Sequence, residues 1–304
     1  MQQAGTRDRC EVNWIVETPG SDPLTGVVRW DPAHSLWNGG MLLGAIALTP
    51  FFTTPAAVVT GITLTGAMLL LGHSVGFHRL LIHGSFRTTP ALRAFLIWCG
   101  TVAGMSGPLW IVRTHDLRDW AQRQPRCHDY LAHRRPMLAD AWWQLHCSLD
   151  LASPPRFDIA VLEASPLLRW LERTWMLQQL PVGGVLYLLG GWPFVVWGVF
   201  VRVALTVHGH WLVGHLAHRR GPQHWQVADA GVQAHDVPWA GLLTMGEAWH
   251  NNHHAYPGSA RIGLHKGQSD WGYAFIRLLE RAGLAWDVCL PTDMPARAGK
   301  LVRV

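Results

Sequence analysis

Charge is what this sequence lacks. Only 15% of its 304 residues are Asp, Glu, Lys or Arg, against about 25% in an average soluble domain, and the shortage is concentrated. No charged residue stands between Asp31 and Arg79, none between Arg93 and Arg113, and a single one, Arg202, between Arg173 and Arg219. One spanning helix needs about 20 mainly apolar residues, so the first and third gaps are each long enough for a membrane hairpin. A soluble globule with buried helices has no use for uncharged runs of that length.

Other absences narrow the chemistry. The five cysteines (Cys10, Cys99, Cys127, Cys147 and Cys289) are odd in number and contain no Cys-x-x-Cys pair, which argues against a disulfide framework or a zinc ribbon. There is no His-Glu-x-x-His, the helix-borne signature of zinc metalloproteases. A soluble di-iron carboxylate bundle needs paired Glu-x-x-His motifs, and this chain has one, Glu247 to His250. No basic cluster is interleaved with aromatics, so nucleic acid is not an expected partner. The opening "MQQAGTRDRCEVNW" has no apolar core, so it does not read as a cleaved signal peptide; targeting rests on the first span.

What remains divides the chain into five parts. Residues 1–32 form a polar N-terminal segment and 33–76 a first transmembrane hairpin turning at "TPFFTTP". Residues 77–173 are a polar or interfacial region, 174–218 a second hairpin turning near "LLGGWP", and 219–304 a cap. Both hairpin tips are uncharged, while arginines fill the N-terminal segment, 79–93, 113–173 and 219–303. The positive-inside rule places those arginine-rich segments in the cytosol. The expectation is an all-α, polytopic, integral membrane protein with about four transmembrane helices, cytosolic N- and C-termini, and a cytosolic helical cap. All the histidine-rich stretches then fall on one face of the bilayer.

Those stretches are the main positive signal among 18 histidines. "HRLLIH" gives His78 and His83, "THDLRDW" gives His115, Asp116 and Asp119, "HGHWLVGHLAH" gives His208, His210, His215 and His218, and "HNNHH" gives His250, His253 and His254. At about 100° per residue, positions i, i+3 and i+4 share a helix face, so His250, His253 and His254 point together, as do His115 with Asp119. His78 and His83, five apart, would stand about 140° from one another on a straight α-helix; they fit better if that helix frays or if each serves a different metal. Imidazole suits zinc, copper, iron and nickel, and eight or more N and O donors exceed the four of one tetrahedral zinc. Two metals are therefore expected, with iron the natural choice beside lipid chains.

"HRLLIH", the later "HNNHH", the preceding "GE" and the following "AYPGSAR" resemble the membrane fatty acid desaturases, closest to the acyl-CoA branch, from about Gly76 to Pro291. The resemblance implies a histidine-rich di-iron site with His78, His83, His115, His218, His250, His253 and His254 as ligands. It also implies O2-dependent insertion of a double bond into a fatty-acyl substrate, with acyl-coenzyme A the first expectation. A separate electron donor, a ferredoxin or a cytochrome b5-like protein, is implied as well. The middle box departs from the family's His-x-x-His-His, since Arg118 and Asp119 stand where two histidines belong. Guanidinium has no lone pair to give, whereas Asp119 is a possible ligand; His215 or His210 are possible extra ligands for the vacancy. Glu247 reads as an acceptor orienting a ligating imidazole. His128 reads as an outer residue near the substrate, and His73, His133, His146, His224 and His235 as hydrogen-bonding residues. A lipid or alkyl hydroxylase on the same scaffold is the alternative. A histidine-rich divalent metal transporter is the alternative of another class, disfavoured because transport calls for ionisable residues near the bilayer midplane.

Overall fold

Proline after a small polar residue starts four of the long or medium helices: Asp31, Thr54, Thr89 and Ser165 each accept a hydrogen bond from the first turn that the next proline opens. Such a side chain satisfies an otherwise orphaned N–H, and proline at the first helical position gives up only a donor that had no partner. The computed structural model describes residues 10, 12–294 and 300–304. Strands β1 (Ile15–Val16) and β2 (Asp22–Trp30) precede helix α1 (Pro32–Leu48), and α2 (Pro55–Ala67) runs straight into a π-helix (Met68–Ile82). Next come β3 (Arg87–Thr88), α3 (Pro90–Val102), α4 (Pro108–Arg123), α5 (Met137–His146), β4 (Cys147–Ser153), β5 (Arg156–Phe157), α6 (Ala160–Glu163) and α7 (Pro166–Thr174). The second apolar block is α8 (Gln179–Val195), a π-helical stretch (Val196–Val201) and α9 (Arg202–Ala217). β6 (Trp225–Val227), α10 (His250–Ala255), α11 (Trp271–Arg281), β7 (Ala285–Trp286) and β8 (Leu301–Arg303) complete the chain.

Among the described residues, two helices are long and apolar enough to cross a membrane, Pro55–Ile82 and Gln179–Ala217. The second is not continuous. Gly190 and Gly191 leave helical geometry, Gly191 with φ +65°, a region that glycine enters without steric cost, so the block folds back at "LLGGWP" as its sequence suggests. Outward-facing side chains on these segments are apolar and bare, Ile62 reaching 63% exposure on the first and Leu188 85% on the second. The lone charge of this block, Arg202, is buried and satisfied: it donates to the carbonyls of Gly198 and Val102 (both 2.7 Å) and to the Gln179 side chain.

The chain is mostly helical, and the all-α expectation needs correcting at four places where short strands pair two by two, antiparallel. The largest pair joins β2 to β4, with Trp30 opposite Cys147, so part of the polar N-terminal segment is a strand. Its partner lies far along the chain, and a local pattern of alternation does not name a distant partner. A second correction concerns the cysteines: Cys10 and Cys289 are disulfide-bonded across 279 positions. One long-range cross-link needs no framework and no spacing motif.

What positions the site is the close packing of α3 and α4 on the π-helix. Gly72 and Gly76 present bare backbone to the Cys99 and Leu96 carbonyls, where a Cβ would have no room. Phe77, Leu81, Ile97, Val112 and Leu171 form the buried core beneath, each such side chain stabilising the fold by about 1.5–3 kcal/mol.

Candidate metal centre

The π-helix ends in the first two histidines. A π-helix closes i to i+5, and the N–H of His83 bonds to the His78 carbonyl at 3.1 Å, so residues five apart lie one turn above one another. The rings of His78 and His83 stand 4.9 Å apart at 74°. No fraying is needed for the two rings to lie in one cluster. α4 brings His115 to the same place, and α10 adds His253: His78, His83, His115 and His253 can each place a ring nitrogen within 4.8 Å of the other three.

The second cluster holds His218, His250 and His254 within the same limit. His218 caps α9, its Nδ1 bonded to the Gly214 carbonyl at 2.7 Å, which turns Nε2 toward His250 Nε2 at 3.2 Å; His254 Nε2 lies 3.1 Å from that same atom. The face shared by His250, His253 and His254 thus splits, His253 going to the first cluster and its neighbours to the second. The clusters adjoin, with His253 5.5 Å from His250 and 5.6 Å from His254 by ring centres.

Burial, reinforced by neighbouring imidazoles, holds His83, His218, His250 and His253 well below the usual histidine range. They are neutral at pH 7, the form that ligates metals. His83 Nε2 and both nitrogens of His253 are buried without a hydrogen-bond partner. Leaving polar groups so costs a few kcal/mol each, at least ~1, and a cation among them removes that cost. Seven imidazoles in two groups therefore fit a pair of metal ions.

Around them stands a carboxylate–guanidinium frame. Glu247 faces His78 Nδ1 and the Arg79 guanidinium and accepts from Ser74 Oγ at 2.6 Å. Arg79, with no exposed surface, also donates to Asp270 (2.8 Å) and to the Ala260 carbonyl (2.8 Å). Burial alone would raise the Glu247 carboxyl, but Arg79 and His78 outweigh it and hold it well below its usual range. Glu247 thus stands between His78 and Arg79, in contact with both. Asn251 fixes α10 from the other side, accepting from the N–H groups of His224 and Trp225 and donating to the carbonyls of Trp225 and Ala234. Sequence alone does not single out Arg79, Asp270 or Asn251; the paired asparagines inside "HNNHH" were the available signal.

The remaining candidates scatter. Asp119 belongs to neither cluster; its carboxylate lies 4.0 Å from His253 Nε2 and 3.3 Å from Arg123. Burial opposes its ionisation, yet His115 and Arg123 outweigh that and hold it low. His215 bonds through Nδ1 to Asp140 at 2.8 Å, and His210 sits with its ring 4.8 Å from His73. His128 accepts from the Tyr130 N–H at 3.1 Å and stacks near Trp143. Arg118 donates to Gln144 at 2.6 Å.

A family model described as fatty acid desaturase matches residues 53–266. The chain is 36% identical over 265 residues to an sn-1 stearoyl-lipid 9-desaturase of Anabaena variabilis, covering 86% of this chain and 94% of that protein. It is 32% identical over 283 residues to an acyl-CoA 5-desaturase of Anemone leveillei (90% and 85%). It is 33% identical over 255 residues to an sn-2 palmitoyl-lipid 9-desaturase of Nostoc sp. (strain 36) (81% and 86%). Two histidine clusters at the ends of long apolar helices thus belong to a chain whose relatives are desaturases over nearly their whole length: the protein is a member of the fatty acid desaturase family, an oxidoreductase that introduces double bonds into fatty acyl chains.

Proposed function

We propose that the two clusters hold two iron ions, the first on His78, His83, His115 and His253, the second on His218, His250 and His254, with Asp119 as a carboxylate donor beside them. The observation that carries this is the convergence of seven largely buried imidazoles, several with unpartnered nitrogens, in two adjoining groups. An iron pair bound there supplies the dioxygen-activating redox chemistry. The overall change, R–CH2–CH2–R′ + O2 + 2e− + 2H+ → R–CH=CH–R′ + 2H2O, balances only with two electrons from outside, which a separate small redox protein provides.

The protein's own part is to hold and to exclude. Glu247, fixed by Arg79, keeps His78 Nδ1 engaged, so its other nitrogen faces inward. Burial keeps the imidazoles neutral and bulk water away from the reacting carbons, and position selectivity follows from where a closed channel sets those carbons. We read α1, α2, α8 and α9 as four membrane crossings, with both termini and the histidines on the cytosolic side. The acyl carrier is coenzyme A or a glycerolipid, both of which occur in the relatives' names. Those names all describe desaturases, which favours double-bond insertion over hydroxylation.

The test is expression in a bacterial host with profiling of fatty-acid methyl esters, alongside purified protein given acyl-coenzyme A or glycerolipid with reductant and O2. New unsaturated species absent from His250→Ala are expected. Hydroxylated products, or wild-type profiles matching His250→Ala with both carriers, would overturn the reading.

A further inference from the structure

The two clusters are unequal, four imidazoles against three, and the side chain that stands in the middle box where a further histidine belongs, Arg118, turns to Gln144. Next to the poorer cluster is a third group, His133, Asp140 and His215, of which the sequence singles out His215 as a possible extra ligand but gives His133 and Asp140 no part at the metals. Asp140 is wholly buried. One of its oxygens accepts from His133 Nδ1 (2.9 Å), His215 Nδ1 (2.8 Å) and Trp211 Nε1 (2.9 Å). Three N–H donors on one carboxylate oxygen make an organised hydrogen-bond node, and they leave no room there for a cation. The consequence is chemical: with Nδ1 committed as donor, each imidazole keeps its lone pair on Nε2. A carboxylate behind the far nitrogen is the usual support of a metal-ligating histidine.

His133 has the other marks of a ligand. Its Nε2 is buried and has no hydrogen-bond partner. Its ring lies parallel to that of His218, 9° apart in plane and 5.2 Å between centres. Pairs within the two clusters are spaced from 4.5 Å (His78–His253) to 5.8 Å (His115–His253), so His133 lies from His218 at a cluster-like spacing, but parallel to it where the cluster pairs are tilted by 50° (His78–His115) to 85° (His218–His250). Its backbone is held at φ +51°, a conformation that side chains rarely adopt outside glycine and asparagine. Arg219, the residue after His218, clamps it there by donating to the His133 carbonyl at 3.0 Å. Gly214, one turn before His218, puts no side chain in the way: a Cβ there would only touch His133 Nε2 at 3.9 Å.

We propose that His133 is a further nitrogen donor to the second metal, directly or through a metal-bound water, presented by Asp140 and standing in for the histidine that Arg118 replaces. The proposal rests on the two-metal reading above. It assigns the vacancy to a residue outside every histidine box, and gives Asp140 a positioning role.

The experiment loads purified full-length protein anaerobically with ferrous iron and reads iron per chain, iron affinity and the Mössbauer spectrum. His133→Gly suits the positive φ, so the variant keeps its fold, and retention of the first iron reports on that directly. Wild type is expected to bind two irons and His218→Ala one. In His133→Gly the second iron weakens about tenfold or more, its Mössbauer signal shifts while the first is unchanged, and free imidazole restores both. Two irons of unchanged affinity and spectrum in His133→Gly, with one lost in His218→Ala, would overturn the role of His133 alone. One iron in wild type would overturn the two-metal reading and this proposal with it.

Discussion

His83 donates its backbone N–H to the carbonyl of His78, five residues earlier, and the two rings meet at 4.9 Å. That bond is the last of a π-helix that begins at Met68. An α-helical turn would send the two imidazoles to different sides; the wider turn stacks them over one opening. π-helical segments concentrate at functional sites, and here the reason is geometric.

The clusters should therefore lose metal separately. His83→Ala empties the first site and leaves the second, His254→Ala does the reverse, and the double variant binds none, as measured by iron per purified chain. Desaturation falls by at least about two powers of ten in each, because removing a ligand that the chemistry needs costs a few kcal/mol at the barrier. If either single substitution releases both irons, the sites are not separable.

Glu247 and Arg79 make a buried ion pair with a ligand attached. Glu247→Gln leaves Arg79 with Asp270 as its remaining carboxylate and removes the charge behind His78, so two losses are expected together. Breaking one partner of a buried pair costs about 3–5 kcal/mol of stability, and loss of a carboxylate behind a ligand weakens metal binding by roughly 10–100-fold. Apparent melting temperature in detergent and iron affinity check them. Unchanged iron affinity would mean that the frame is structural only.

Much of this was legible in the sequence. Charge gaps marked the two long apolar helices, Gly190–Gly191 the break in the second, and the spacing of His250, His253 and His254 a common helix face. The illegible parts share a physical cause: each is a pairing between residues far apart, with no local period. β2 against β4, Arg79 against Asp270, and Asp140 against His215 are all of this kind. The α10 face could be read, but its division between two clusters could not, because that depends on where α4 and α9 end.

The Cys10–Cys289 bond closes nearly the whole chain into a loop and ties the N-terminal segment to the cap. A loop of that length predicts roughly 5 kcal/mol of stabilisation on chain entropy alone, and native bonds typically contribute about 2–5. Cys289→Ser should therefore lower the apparent melting temperature, and reductant should lower wild type to the variant's value without affecting the variant. Wild type insensitive to reductant, with both thiols alkylated in the purified protein, would show that the bond does not form.

Asp236 gives the pH prediction. It is 1% exposed and accepts from the Asn251 N–H (3.0 Å) and Gln268 Nε2 (3.0 Å). Burial pushes its carboxyl up from 3.8 to about 6, against the pull of the Asn251 N–H, His224 and Gln268. Between those values the folded chain holds a proton that the unfolded chain has released. The associated stability is fully present below pH 3.8 and is lost as pH rises through 6. A rise of that size is worth about 3 kcal/mol. Asp236→Asn cannot titrate, so the difference in stability between variant and wild type, followed by unfolding in detergent from about pH 3 to about pH 7.5, should move in the variant's favour by that order as pH rises. At the acid end the variant is the less stable by about 1 kcal/mol, because an amide N–H2 facing Gln268 Nε2 loses one hydrogen bond. A difference that stays constant across the range would show that Asp236 ionises normally in the folded protein. The loop from Ala234 to Val237, which Asn251 of α10 grips, would then owe nothing to a protonated carboxyl.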